Sequence, residues 1–348
     1  MEFLLANLLH LKHLELHAKD LSDLVDGYRW QILTSNLLSF KFKFKIDLIS
    51  IEQNFASFRT SFWLQEKHWY VAYDDEYLFS VPHFAPVNAN TPYSLPTYYT
   101  TPNDNIFRET ITKLTLSILP KSSNYHFPNV ETLEISCVGP YYILFEIIDL
   151  SRVQHLIITW AEYILHLKLM LKTMSSLNRL TIKSAVTFEH LIQMHVCRFQ
   201  QIRRLQIQSI SIENNHNFEE LFTCFPYVEH LHIQRVSTRT NLTYLIDGFK
   251  HLLNASFGIP FIVELDDEDI KNLLRQPHIL LFGSKRLACS TFTCNVYPFS
   301  DWTIAVWIGE RILCNSAKSS RKSIFRWLRR HGCVFKCLTG HTDENTSN

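Results

Sequence analysis

Three short runs of this chain carry polar groups at alternate positions: Arg179, Thr181 and Lys183; Arg204, Gln206 and Gln208; His230, His232 and Gln234. Alternation puts side chains on one face of a β-strand, and the residues between them are apolar. The chemistry this offers is hydrogen bonding with mild positive charge, suited to an acidic or hydrogen-bonding peptide. It does not spell out catalysis. No nucleophile is paired by motif with a base, although triads are geometric and need not be sequential, so an unrecognised enzyme is the alternative to a non-enzymatic protein. Eight glycines, the closest pair being Gly332 and Gly340, leave no G-x-G-x-x-G, P-loop or G-x-S-x-G.

Metal and cofactor chemistry is weighed and set aside, and no cofactor is expected. His230 and His232 could be half of a zinc site, but Arg204 is their expected neighbour and a cation beside a dication is unfavourable. Glu189, His190 and His195 imitate a zinc-protease helix, yet the histidines are five apart rather than four. His331, Cys333, Cys337 and His341 offer four possible ligands within eleven residues, with the histidines remote from the cysteine pair. Those cysteines read as small apolar residues of an amphipathic helix. Asp266, Asp267, Glu268 and Asp269 read as the acidic start of a helix.

The elements that must position the polar strip come from an internal repeat, i, i+3, i+5 in apolar residues. Clear copies are Leu11, Leu14, Leu16; Val130, Leu133, Ile135; Val153, Leu156, Ile158; Leu177, Leu180, Ile182; Ile202, Leu205, Ile207; and Val228, Leu231, Ile233. Looser copies are Leu37, Phe40, Phe42; Ile111, Leu114, Leu116; and Leu252, Ala255, Phe257. From Leu114 the middle residues advance by 19, 23, 24, 25, 26 and 24. Helical spacing fills the gaps over 163–174, 188–199, 218–224 and 244–249. The fold class expected is α/β: an irregular leucine-rich-repeat solenoid over 1–310, its curved parallel sheet on the concave face and its helices outside. The Asn or Cys usual three residues past the motif is missing. The outward positions then form columns, with Arg179, Arg204 and His230 side by side, beside Thr132, Glu134, Ser136, His155, Ile157 and Thr159 of the earlier units.

Two stretches break the period. Over 64–110 an inserted hairpin, turning near Asp74 and Asp75, leads into a loop rich in Pro and Tyr, where missing amide donors preclude a central strand. The runs STFTCNV at 290–296 and DWTIAVWIG at 301–309 suggest a second hairpin closing the array. The tail, 311–348, holds eight Lys or Arg and two acids, against 26 and 31 in the preceding residues, and reads as a solvated cap helix followed by disorder. The whole chain, 348 residues with a formal charge of +1 and 46% hydrophobic content, falls in a globular class. Its charge does not point to nucleic acid, and nucleic acid or membrane binding is not expected outside a role for the basic tail. Eight scattered cysteines suggest reduced thiols and an intracellular setting, cytoplasmic or nuclear.

The repeat strands, the run SFRTSFWLQEKHWYVAYDDEYLFSVPHFAP at 57–86 and the closing WTIAVWIGE at 302–310 resemble the C-terminal repeat region of F-box and leucine-rich-repeat proteins. The likeness spans roughly residues 1–310. It implies the substrate-binding part of an SCF-type ubiquitin ligase receptor, with an unknown protein ligand on the concave face. No LPxEI-type opening precedes Leu11, so Skp1/cullin is an expected partner only if an F-box is supplied upstream.

Overall fold

The structure, a computed structural model, describes residues 10–19, 25–46, 55–90, 93, 95–118, 125–136, 141–159, 164–183, 198–208, 216–236, 238–259, 271–272, 274–288, 292–297 and 302–308. These form a mixed α/β fold whose strands lie in two open sheets, neither closed into a barrel.

The first sheet begins with β1 (His13–Lys19) and β2 (Ser39–Lys45), paired in parallel with Leu14 opposite Phe40 and Leu16 opposite Phe42. Between them runs the helix Gly27–Thr34, capped by the Asp26 carboxylate, which accepts from the N–H groups of Tyr28 (2.9 Å) and Arg29 (3.3 Å). Such a cap satisfies amides that have no partner within the helix. A hairpin, β3 (Tyr70–Asp74) and β4 (Tyr77–Val81), then adds antiparallel strands, β4 pairing with β2. Its two-residue turn is Asp75 and Glu76, at φ 46° and 66°, the left-handed geometry that matches strand twist. Beneath the sheet Phe40, Phe42 and Phe44 stack along β2 and meet Trp30, Phe58 and Trp63.

The second sheet takes β5 (Asn88–Asn90), then, after β6 (Tyr98–Tyr99) has joined β3 in the first sheet, β7 (Lys113–Leu116), β8 (Thr132–Ile135), β9 (His155–Ile158), β10 (Arg179–Ile182), β11 (Arg204–Ile207), β12 (His230–Ile233) and β13 (Asn254–Gly258). From β5 to β13 every pairing is parallel. The closing hairpin, β14 (Phe292–Tyr297) and β15 (Thr303–Ile308), is antiparallel, with β15 against β13. Leu114, Leu133, Leu156, Leu180, Leu205 and Leu231 are register partners in turn, and all are buried. Residues of the returning helices Ile164–Thr173, His216–Cys224 and Arg239–Gly248, among them Met170, Phe218 and Leu245, pack in the same core cluster.

Backbone carbonyls at the strand starts tie each strand to the next. Glu131 O accepts from both Gln154 N and His155 N, at 2.8 and 3.0 Å. Gln154, Asn178, Arg203 and Glu229 repeat this for the strand that follows, as Val87 and Thr112 do earlier. Each of these carbonyls thus uses both acceptor sites. At the other end, Lys183, Gln208 and Gln234 donate backbone N–H groups to Ile158, Ile182 and Ile207, lengthening the ladder by a residue. Gly258 sits where a Cβ would lie 1.8 Å from the Gln234 carbonyl oxygen, so close approach of β12 and β13 requires glycine there.

The structure corrects the loop expected after the first hairpin: that stretch supplies a strand to each sheet, β5 and β6. Both are outermost strands of their sheets among the described residues, where proline is tolerated. β5 escapes the apolar pattern because Ala89 stands in register with Leu114 and Pro86 occupies the first motif position. The hairpin turn lies one residue later than expected. The basic tail, Asp266 to Asp269 and nearly all of the helical stretch 188–199 lie outside the described residues.

Candidate functional site

The nine polar residues of the three runs share one face of the second sheet. Arg179, Arg204 and His230 are successive register partners, as are Thr181, Gln206 and His232; Lys183, Gln208 and Gln234 follow at the strand ends. Neighbouring strands lie about 4.8 Å apart, so residues separated by about 25 positions in sequence become lateral neighbours. The same register extends the first row through His155, Thr132, Lys113 and Asn88 on one side, and Asn254 and Trp307 on the other. The second row continues through Ile157, Glu134, Thr115 and Asn90, and through Ser256 and Ala305.

The two rows carry one acid, Glu134, with Lys113, Arg179 and Arg204. The Glu134 carboxylate, largely buried, is held by Lys183 through a short contact and lies 3.9 Å from Lys113 Nζ. Lys183 is therefore engaged within the protein. Arg179 and Arg204 stand directly opposite each other, an arrangement that like charges make unfavourable. Arg179 Nη2 donates to Gln206 Oε1 at 3.3 Å, while Arg204 is exposed.

Two histidines of the face, His155 and His232, are kept neutral by where they sit. Burial, reinforced by the charges of Arg179, Lys113 and Lys183, pushes His155 down to about 3. Burial and then Arg179 push His232 down to about 4. His155 Nε2 lies 2.9 Å from Thr181 Oγ1, yet an imidazole of such low basicity is a poor general base for a hydroxyl near neutral pH. His230 Nδ1 pairs with Asn254 Oδ1 at 2.9 Å. Among the described residues no three His, Cys, Asp or Glu side chains converge as metal ligands. The pairs His190 with His195 and Cys333 with Cys337 lie outside those residues.

The rows contain members that sequence reasoning did not single out. Lys113, Asn254 and Ser256 flank the apolar residues of two looser copies, where the alternation already visible elsewhere is the signal that finds them. Trp307 and Ala305 come from an antiparallel closing strand, to which the repeat period gives no guide. Among the described residues no helix is long and apolar enough to cross a membrane. Comparison with family models, curated proteins and solved structures gave no match.

Proposed function

We propose that this chain is a non-enzymatic protein-interaction module, an irregular leucine-rich-repeat solenoid whose concave face binds a protein ligand in the manner of a ubiquitin-ligase substrate receptor. The observation that carries this reading is the in-register pair Arg179 and Arg204. Two arginines in register on a polar sheet face bring positive charge to adjacent strands, and an acidic ligand would meet it with paired, charge-assisted hydrogen bonds. The parallel register of seven successive pairings from β5 to β13 supports the repeat architecture, because each unit buries its apolar edge only against its neighbours. Neutral His155 and His232 add donors and acceptors without competing charge.

Binders selected from a displayed peptide library against the full chain test the reading when their footprints are mapped by hydroxyl-radical labelling. The expected result is protection of Arg204, His230 and neighbouring side chains of β10 to β13. Protection confined to the helical side or to the first sheet would overturn it.

A further inference from the structure

The second row of the face holds small residues that are less exposed than alternation alone would give. From β10 to β15 it comprises Thr181, Gln206, His232, Ser256 and Ala305, and Thr181, Ser256 and Ala305 are only 3%, 8% and 5% exposed, although alternation points them outward. Small outward side chains lose contact with solvent when longer neighbours stand over them. The first row supplies such neighbours in Arg179, Arg204, His230 and Trp307, and the strand ends supply Gln208 and Gln234. The row thus crosses the strands with two arginines beside it near one end and an indole at the other.

We propose that this row receives an extended peptide segment lying across β10 to β15, with acidic side chains over Arg179 and Arg204 and a bulky apolar side chain against Trp307. The proposal rests on the protein-binding reading of the face and specifies the ligand. Charge complementarity selects the acidic end. The amide side chains of Gln206, Gln208, Gln234 and Asn254 both donate and accept, as an extended backbone requires when its polar groups leave water. Trp307 offers the large, semi-rigid apolar surface that anchors interface contacts. Geometry also sets the spacing. Arg204 and Trp307 are three strand steps apart, about 14 Å at about 4.8 Å per step, which an extended chain covers in about four residues. The acidic and apolar side chains should therefore be separated by about three residues.

Fluorescein-labelled synthetic peptides test this on the full chain. Each carries Asp-Asp and Phe joined by a Gly/Ser spacer of variable length, in both chain orders. Affinity should peak near three spacer residues in one order and fall about tenfold or more with no spacer or with Asn-Asn in place of Asp-Asp. Trp307→Ala should abolish the advantage of Phe over Ala in the peptide. Arg179→Glu with Arg204→Glu should reverse the preference towards Lys-Lys peptides, and Arg204→Gln, a milder change, should weaken the acidic preference if the double variant fails to fold. Absent binding, affinity indifferent to spacer length, or an acidic preference surviving charge reversal would overturn the proposal. Library binders that protect the face but lack the acidic and apolar pattern would overturn this inference alone, whereas binders that leave the face unprotected would sink the protein-binding reading too.

Discussion

The two sheets start from the same device and diverge. In the first, Lys12 O accepts from both Leu38 N and Ser39 N; in the second, Glu131 O does the same for Gln154 and His155. Both bring a parallel strand in behind the preceding one. After β2, however, the core beneath is built from Phe40, Phe42 and Phe44 with ring centroids 5.0 and 4.7 Å apart, and the antiparallel β4 occupies the outer edge of that strand. From β7 to β12 the inward positions are Leu and Ile, residues of near-constant volume, and β13 continues the parallel pairing with Ala255 and Phe257 inward. A carbonyl that serves two amides, repeated from strand to strand, extends the second array, and extension is what assembles the polar rows.

Core truncations should separate the two regions most strongly. Phe42→Ala removes a fully buried ring at the centre of the first sheet and should cost about 3–5 kcal/mol, against about 2–5 kcal/mol for Leu205→Ala in the second. Urea unfolding followed by tryptophan emission and by far-ultraviolet circular dichroism checks both. Tyr93 packs on the cores of both sheets, so a single transition is expected for each variant; noncoincident transitions would mean that the sheets unfold separately.

Acidification should act on the second sheet. The unfolded chain titrates its histidines near 6.5, while folded His155 and His232 stay neutral down to about 3 and about 4. Between those limits the unfolded state binds more protons, so stability present above about pH 6.5 is lost as pH falls towards 4. The slope is at most about 1.4 kcal/mol per pH unit for each histidine. Arg179→Gln should flatten it, since Arg179 contributes to both depressions. Equal urea midpoints at pH 7 and pH 5 would contradict this account of the face.

Gly258→Ala tests close strand approach with a smaller change. The added methyl meets the backbone carbonyl oxygen of Gln234 rather than a movable side chain, and overpacking of this kind costs about 1–3 kcal/mol. A melting temperature equal to that of the unsubstituted protein would show that β12 and β13 can spread without loss.

How much of this was legible in the sequence depended on whether inward volume stayed constant. Leu180, Leu205 and Leu231 announce β10 to β12 and place Arg179, Arg204 and His230 in a row before any coordinates. β5 is silent because Ala89 carries too little apolar mass to mark a strand, and its pairing becomes visible only through the neighbour that completes it. Trp307 escaped for a different reason: the antiparallel return abandons the repeat period, so its place beside Asn254 is a property of the assembled sheet. The neutral state of His155 and His232 likewise depends on burial and on Arg179 from another unit, which alternation alone does not quantify.

The smallest expected effect on folding accompanies the largest on binding. Arg179→Ala with Arg204→Ala changes outward positions and should alter stability by about 0.5 kcal/mol or less per site. A face that binds through this pair should lose about tenfold or more in affinity. The decisive measurement is the binding isotherm of a library-selected peptide with the unsubstituted chain and the double variant, taken with thermal unfolding on the same samples. The account predicts weakened binding at an unchanged melting temperature. Unchanged affinity, or affinity lost only together with the fold, would contradict it.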